Sequence, residues 1–123
     1  MNLMALCLGA CAGALARWAL TQALNTPGAW LPWGTLAANL AGGLLAGVAL
    51  AAFERWPGLD PAWQLAVMTG FLGALTTFSS FGVEVVHMLQ AQRWLAALAT
   101  AALHTLGVVG MVMAGLKLAR LTL

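Results

Sequence analysis

The chain has 123 residues, 63% of them hydrophobic and only 7% charged, with a mean hydropathy of +0.93. A water-soluble domain is about a quarter charged, so this chain lacks the polar surface to be one and reads as a single all-α domain built for a bilayer. Five basic residues against three acidic ones leave a net charge of +2, too few cations for a nucleic-acid-binding face.

A spanning helix needs about 20 mostly apolar residues, and four such segments fit, at about residues 3–24, 33–53, 62–90 and 94–118. The first has no basic lead and continues to full spanning length, which reads as a membrane helix rather than a cleaved leader. It carries both cysteines, Cys7 and Cys11, one turn apart. Two thiols make neither a disulfide framework nor a zinc site, and they read as small packing residues. Gly9 and Gly13, and Gly43 and Gly47 in the second segment, have the spacing of close helix contacts.

Proline–glycine clusters separate the segments: Pro27 to Pro32 after the first, Pro57 to Pro61 after the second. Trp30, Trp33, Trp56, Trp63 and Trp94 lie at or beside predicted span ends, as an interfacial belt requires. With four spans, both termini share a membrane face with the loop from Glu54 to Asp60. That face has Arg55, Lys117 and Arg120, against Arg93 and a snorkelling Arg17 on the other. So small a bias sets orientation weakly. Insertion both ways, which would allow an antiparallel homodimer, is the expectation, and one orientation set by Lys117 and Arg120 is the alternative.

The third segment holds the chemistry. At about 1.5 Å per residue its roughly 30 residues reach about 45 Å, against a hydrocarbon core of about 30 Å. A break between Gly73 and Phe78 absorbs the excess. Broken helices occur at membrane depth where the freed backbone lines a cavity or meets a ligand, and freed carbonyls suit a small hard cation. Thr76, Thr77, Ser79 and Ser80 interleave with Phe78 and Phe81, and Glu84 follows one turn on. Hydroxyls donate to anions, and the positive edge of a phenyl ring meets them through C–H groups. These groups point to an ion path. On the second segment Thr35 and Asn39 share a face, and an Asn amide can donate to an anion or bridge two helices. Glu84 either pairs, with Arg17 as a candidate, or serves the path. His87 reads as interfacial and His104 as an interhelical hydrogen-bonder. No Ser-His-Asp set, HExxH motif or P-loop is present, and an enzyme is not expected.

Three motifs in order resemble the small bacterial fluoride channels of the Fluc or CrcB family. They are the Gly-rich run through Gly9, Gly13 and Ala14 to Arg17, residues 32–42 (PWGTLAANLAG), and residues 70–81 (GFLGALTTFSSF). The resemblance implies a dual-topology antiparallel homodimer in the bacterial inner membrane that passively exports cytoplasmic fluoride. By position it implies Asn39 as a pore donor, Phe78 and Phe81 as ion contacts, and Thr35, Ser79 and Ser80 as polar lining. Glu84 would belong to the outer path and Arg17 to the vestibule. The carbonyls of Gly73 and Thr76 from both subunits would hold one structural sodium ion. Ser80 stands where Thr is usual, and Val108 where some members carry a pore-facing Ser, with Thr105 as a substitute. The alternative is a small multidrug exporter, also four helices and coupled to protons. It needs a carboxylate in the first helix, where this chain has Arg17 and no acid.

Overall fold

The computed structural model describes residues 2–123. It is all-helical, with four helices long and apolar enough to cross a membrane: Asn2–Leu24, Trp33–Arg55, Pro61–Gln90 and Trp94–Thr122. The second helix runs past residue 53 and the fourth past 118. Charged residues near an end do not stop a helix. Glu54 is instead tied to Arg120 by a 2.8 Å salt bridge, which holds the ends of these two helices together.

The opposite end is tied by Arg93, whose guanidinium donates to Trp30 O at 2.6 Å and Ala29 O at 3.2 Å. The third span starts where Pro61 fills the first helical turn and Asp60 accepts from Ala62 N–H at 2.8 Å. Proline and a capping carboxylate there satisfy what the helix start leaves open.

Helix pairs form where glycine lets backbones touch. A Cβ on Gly13 would collide with Phe71 O, and one on Gly9 with Ala66 O, which sets the first helix against the third span. A Cβ on Gly47 would collide with Val112 O, which sets the second helix against the fourth. Both glycine pairs thus serve contacts inside the chain. Ala38, Leu72 and Leu75 form the core between these pairs. A second cluster, Met88 with Ala96 and Ala97, joins the end of the third span to the start of the fourth. Large apolar side chains such as Leu8, Leu15, Leu98 and Leu106 face outward, as they do in a protein solvated by lipid.

The third span is not uniform. Leu65–Leu72 is a wide π-helical stretch, Gly73–Leu75 one more helical turn, and Phe78–Gln90 a separate helix. Between them Thr76 (φ −81°, ψ 151°) and Thr77 (φ −148°, ψ 116°) are extended. Leu103–Gly107 in the fourth span is also π-helical.

Candidate functional site

Extended backbone inside an apolar bundle needs partners, because each unpaired buried N–H or C=O costs about 1–3 kcal/mol. Asn39 supplies them. Its Oδ1 accepts from Thr77 N–H at 2.7 Å, and its Nδ2 donates to Thr77 O at 3.0 Å. One side-chain amide thus pairs with both polar groups of one residue, as a neighbouring strand would. Asn39 is 7% exposed, and one Nδ2 hydrogen is not used by Thr77.

Thr77 in turn caps the helix that follows. Its Oγ1 accepts from Ser80 N–H at 3.1 Å and donates to Ser80 Oγ at 3.0 Å. Capping by threonine at this position is ordinary helix-start chemistry. These two redirections release two carbonyls. Thr77 N–H, the helical donor for Gly73 O, goes to Asn39, and Ser80 N–H, the helical donor for Thr76 O, goes to Thr77 Oγ1. The carbonyls of Gly73 and Thr76 therefore lack the donors that a continuous helix would give them, and free backbone oxygens are the kind of ligand a hard cation takes.

A groove of about 600 Å³ opens beside this backbone. Asn39, Gly73, Thr76, Phe78 and Phe81 line it together with His104. Phe81 is 9% exposed, whereas Phe78 is 80% exposed, and their ring centroids lie 5.3 Å apart. On its other side Phe81 meets the His104 ring, centroid to centroid 4.7 Å.

The remaining candidates lie elsewhere. Thr35, 1% exposed, donates from Oγ1 to Glu84 Oε1 at 2.5 Å and accepts from Asn25 Nδ2 at 3.3 Å. Asn25 Oδ1 accepts from Gly34 N–H at 2.7 Å, which closes a network between the end of the first helix and the start of the second. Glu84 is thus engaged by a hydroxyl. Its pairing with Arg17 is not formed, because Thr35 sits directly across from it, and the only salt bridge among the described residues is Arg120 with Glu54. Arg17 is half-buried on the first helix. Ser79 is exposed, on a shallow surface shared with Gly82, His87 and Gln90.

Two residues differ from their sequence expectation. His104 makes its hydrogen bond within its own helix, Nδ1 to Thr100 O at 3.0 Å, because four-residue spacing brings that carbonyl within reach. Thr105 lines the groove beside Val108, but its hydroxyl donates back to Ala101 O at 2.7 Å, so that hydrogen is spent. The fourth span's available polar group in the groove is His104. Its sequence reading as an interhelical hydrogen-bonder missed the groove, and Asn25 had no reading at all, since the only local signal for either is a polar residue in or beside an apolar run.

Four apolar spans, three of which line a largely apolar open groove that holds Asn39 and His104, define a small multi-span membrane protein. A family model described as "CrcB-like protein, Camphor Resistance (CrcB)" matches residues 4–116, and the chain belongs to that family. A relative from Albidiferax ferrireducens, named fluoride-specific ion channel FluC, is 56% identical over 97% of this chain and 91% of its own length. One of the same name from Variovorax paradoxus is 59% identical over 85% of this chain and 82% of its own length. A third, from Erwinia tasmaniensis, is 46% identical over 97% of this chain and 95% of its own length, also so named.

Proposed function

We propose that this protein is a fluoride-selective channel, not an enzyme, which lets cytoplasmic fluoride leave across the bacterial inner membrane and so relieves its toxicity. One observation carries the reading: Asn39, Phe78 and Phe81 converge on one groove beside backbone that has left helical pairing. The fluoride assignment is supported by the printed names of the relatives.

Chemically, a small anion keeps its hydration shell unless donors replace it. The unused Asn39 N–H and the positive ring edges of Phe78 and Phe81 are such donors. Each contact is individually weak, as conduction requires, because an ion must leave as readily as it enters. Thr35, Ser79 and Ser80 lie outside this groove, and in this reading they would belong to a polar lining beyond it, with Glu84 in the outer path and Arg17 in the vestibule. Among the described residues no carboxylate lines the groove to couple protons to transport, which favours a passive route over the exporter alternative.

The interruption at Thr76 and Thr77 is read as a break at membrane depth. A second copy of the chain, inserted antiparallel, would cover the open side of the groove and the exposed Phe78 ring. Gly73 and Thr76 carbonyls from both copies would then hold one sodium ion, whose charge would fix the two breaks against each other. The reading is tested by expression in a bacterium stripped of its own fluoride export. Growth in fluoride is the expected result, and growth no better than with an empty vector would overturn it.

A further inference from the structure

Among the described residues, His104 is the one titratable side chain in the groove lining. It is 6% exposed and stacked on Phe81 at an interplanar angle of 30°. Its Nδ1 faces Thr100 O. A carbonyl only accepts, so Nδ1 bears the hydrogen, and the neutral ring is left with a bare lone pair on Nε2. Nε2 is buried and has no partner among the described residues. Such atoms are rare and call for a reason. The residue also sits in the wide turn Leu103–Gly107, and turns of this kind gather at functional sites.

We infer that His104 is a proton-switched contact for a small anion: neutral, its Nε2 lone pair opposes the anion, and protonated, it offers an N–H beside the ring of Phe81. The inference rests on the fluoride reading of the groove and adds to it a residue that sets when the path binds best. The proton is taken from water and returned to water. No other reactant is needed, and the anion is held by a hydrogen bond alone. The groove receives no competing charge from the described residues. The second helix contributes Asn39 and small residues, and the third span contributes the two phenylalanines, threonines and apolar groups. Glu84, one turn past Phe81, is engaged by Thr35, and neither Arg17 nor His87 lines the groove.

Linkage gives the sign. An anion that prefers the protonated ring must raise the pH at which the ring titrates, by reciprocity. The test follows that titration by NMR of 15N-histidine protein carrying His87→Gln, in equal concentrations of sodium fluoride or sodium chloride. Fluoride is expected to raise the midpoint by about half a pH unit over chloride, roughly a threefold preference for the protonated ring. Identical midpoints would overturn the inference. In parallel, fluoride release from liposomes is compared for the wild type and His104→Asn at pH 7.5 and 6.0, at sub-saturating fluoride. Protein-free liposomes report leakage of hydrogen fluoride. Each protein's release at pH 7.5 is its own reference, and only the wild type should quicken at pH 6.0. Parallel pH profiles would overturn the His104 inference and leave the fluoride channel standing. No release by the wild type at either pH would overturn the channel itself, and the ligand with it. If the variant does not fold, the spectra of the protein that keeps His104 decide.

Discussion

Replacing Asn39 with alanine should destabilise the fold through a residue that Asn39 touches rather than through Asn39 itself. The side chain carries two hydrogen bonds, at 2.7 and 3.0 Å, to the N–H and C=O of Thr77, which is also buried. Alanine leaves both backbone groups without a partner. Each such group costs about 1–3 kcal/mol, so Asn39→Ala should lose about 2–6 kcal/mol, at the upper end if water from the groove does not reach Thr77. The Asn39→Asp variant separates the two bonds. Its ionised carboxylate keeps the bond from Thr77 N–H but sets a second oxygen against Thr77 O. The protonated carboxyl restores both bonds. The native state of Asn39→Asp therefore gains a proton that the unfolded state holds less tightly, and its stability rises as pH falls. Reversible unfolding in mixed micelles, at pH 7.5 and 5.0, measures all three proteins. A loss below about 0.5 kcal/mol for Asn39→Ala, the size of an ordinary surface change, would refute the clamp. So would an Asn39→Asp protein whose stability ignores pH.

Phe81→Ile removes the ring between Phe78 and His104, and fluoride release should fall at least tenfold while the protein still elutes as a folded species; an unchanged rate contradicts the assignment. Gly47→Val drives a side chain into Val112 O and should cost about 1–3 kcal/mol as an overpacked contact, read in the same unfolding assay, where a neutral result would count against the backbone contact. Exchange of sodium for a bulky organic cation should weaken the proposed dimer or stop conduction, if the carbonyls of Gly73 and Thr76 hold the ion. Indifference in both size-exclusion and flux measurements would remove that site.

The spans were legible because bilayer thickness imposes a run length and because proline and glycine mark the turns. Their ends were less so: Glu54 and Arg120 lie near the ends of two helices and pair across 66 residues of chain, and no local pattern reports such a pair. The third span's polar residues could be picked out as chemistry, since side chains of that kind are costly in lipid. Their grouping could not. Thr35 and Asn39 share a helix face in sequence, yet one meets Glu84 and the other Thr77. That division depends on the extended backbone at Thr76 and Thr77. Thr76 and Thr77 are extended because an amide 38 residues earlier holds Thr77, and only the assembled bundle brings the two together. His104 is the sharpest case. A histidine in an apolar run carries no mark of its neighbours, and its meeting with Phe81 is a product of packing between spans.

Fluoride is proposed to cross the membrane along the groove of Asn39, Phe78 and Phe81. Purified protein in liposomes loaded with potassium fluoride, with valinomycin to balance charge and an ion-selective electrode outside, addresses it most directly. Prompt fluoride release that needs the protein, with chloride retained in matched vesicles, is the expected result. Vesicles that hold their fluoride, or lose both halides alike, would contradict it.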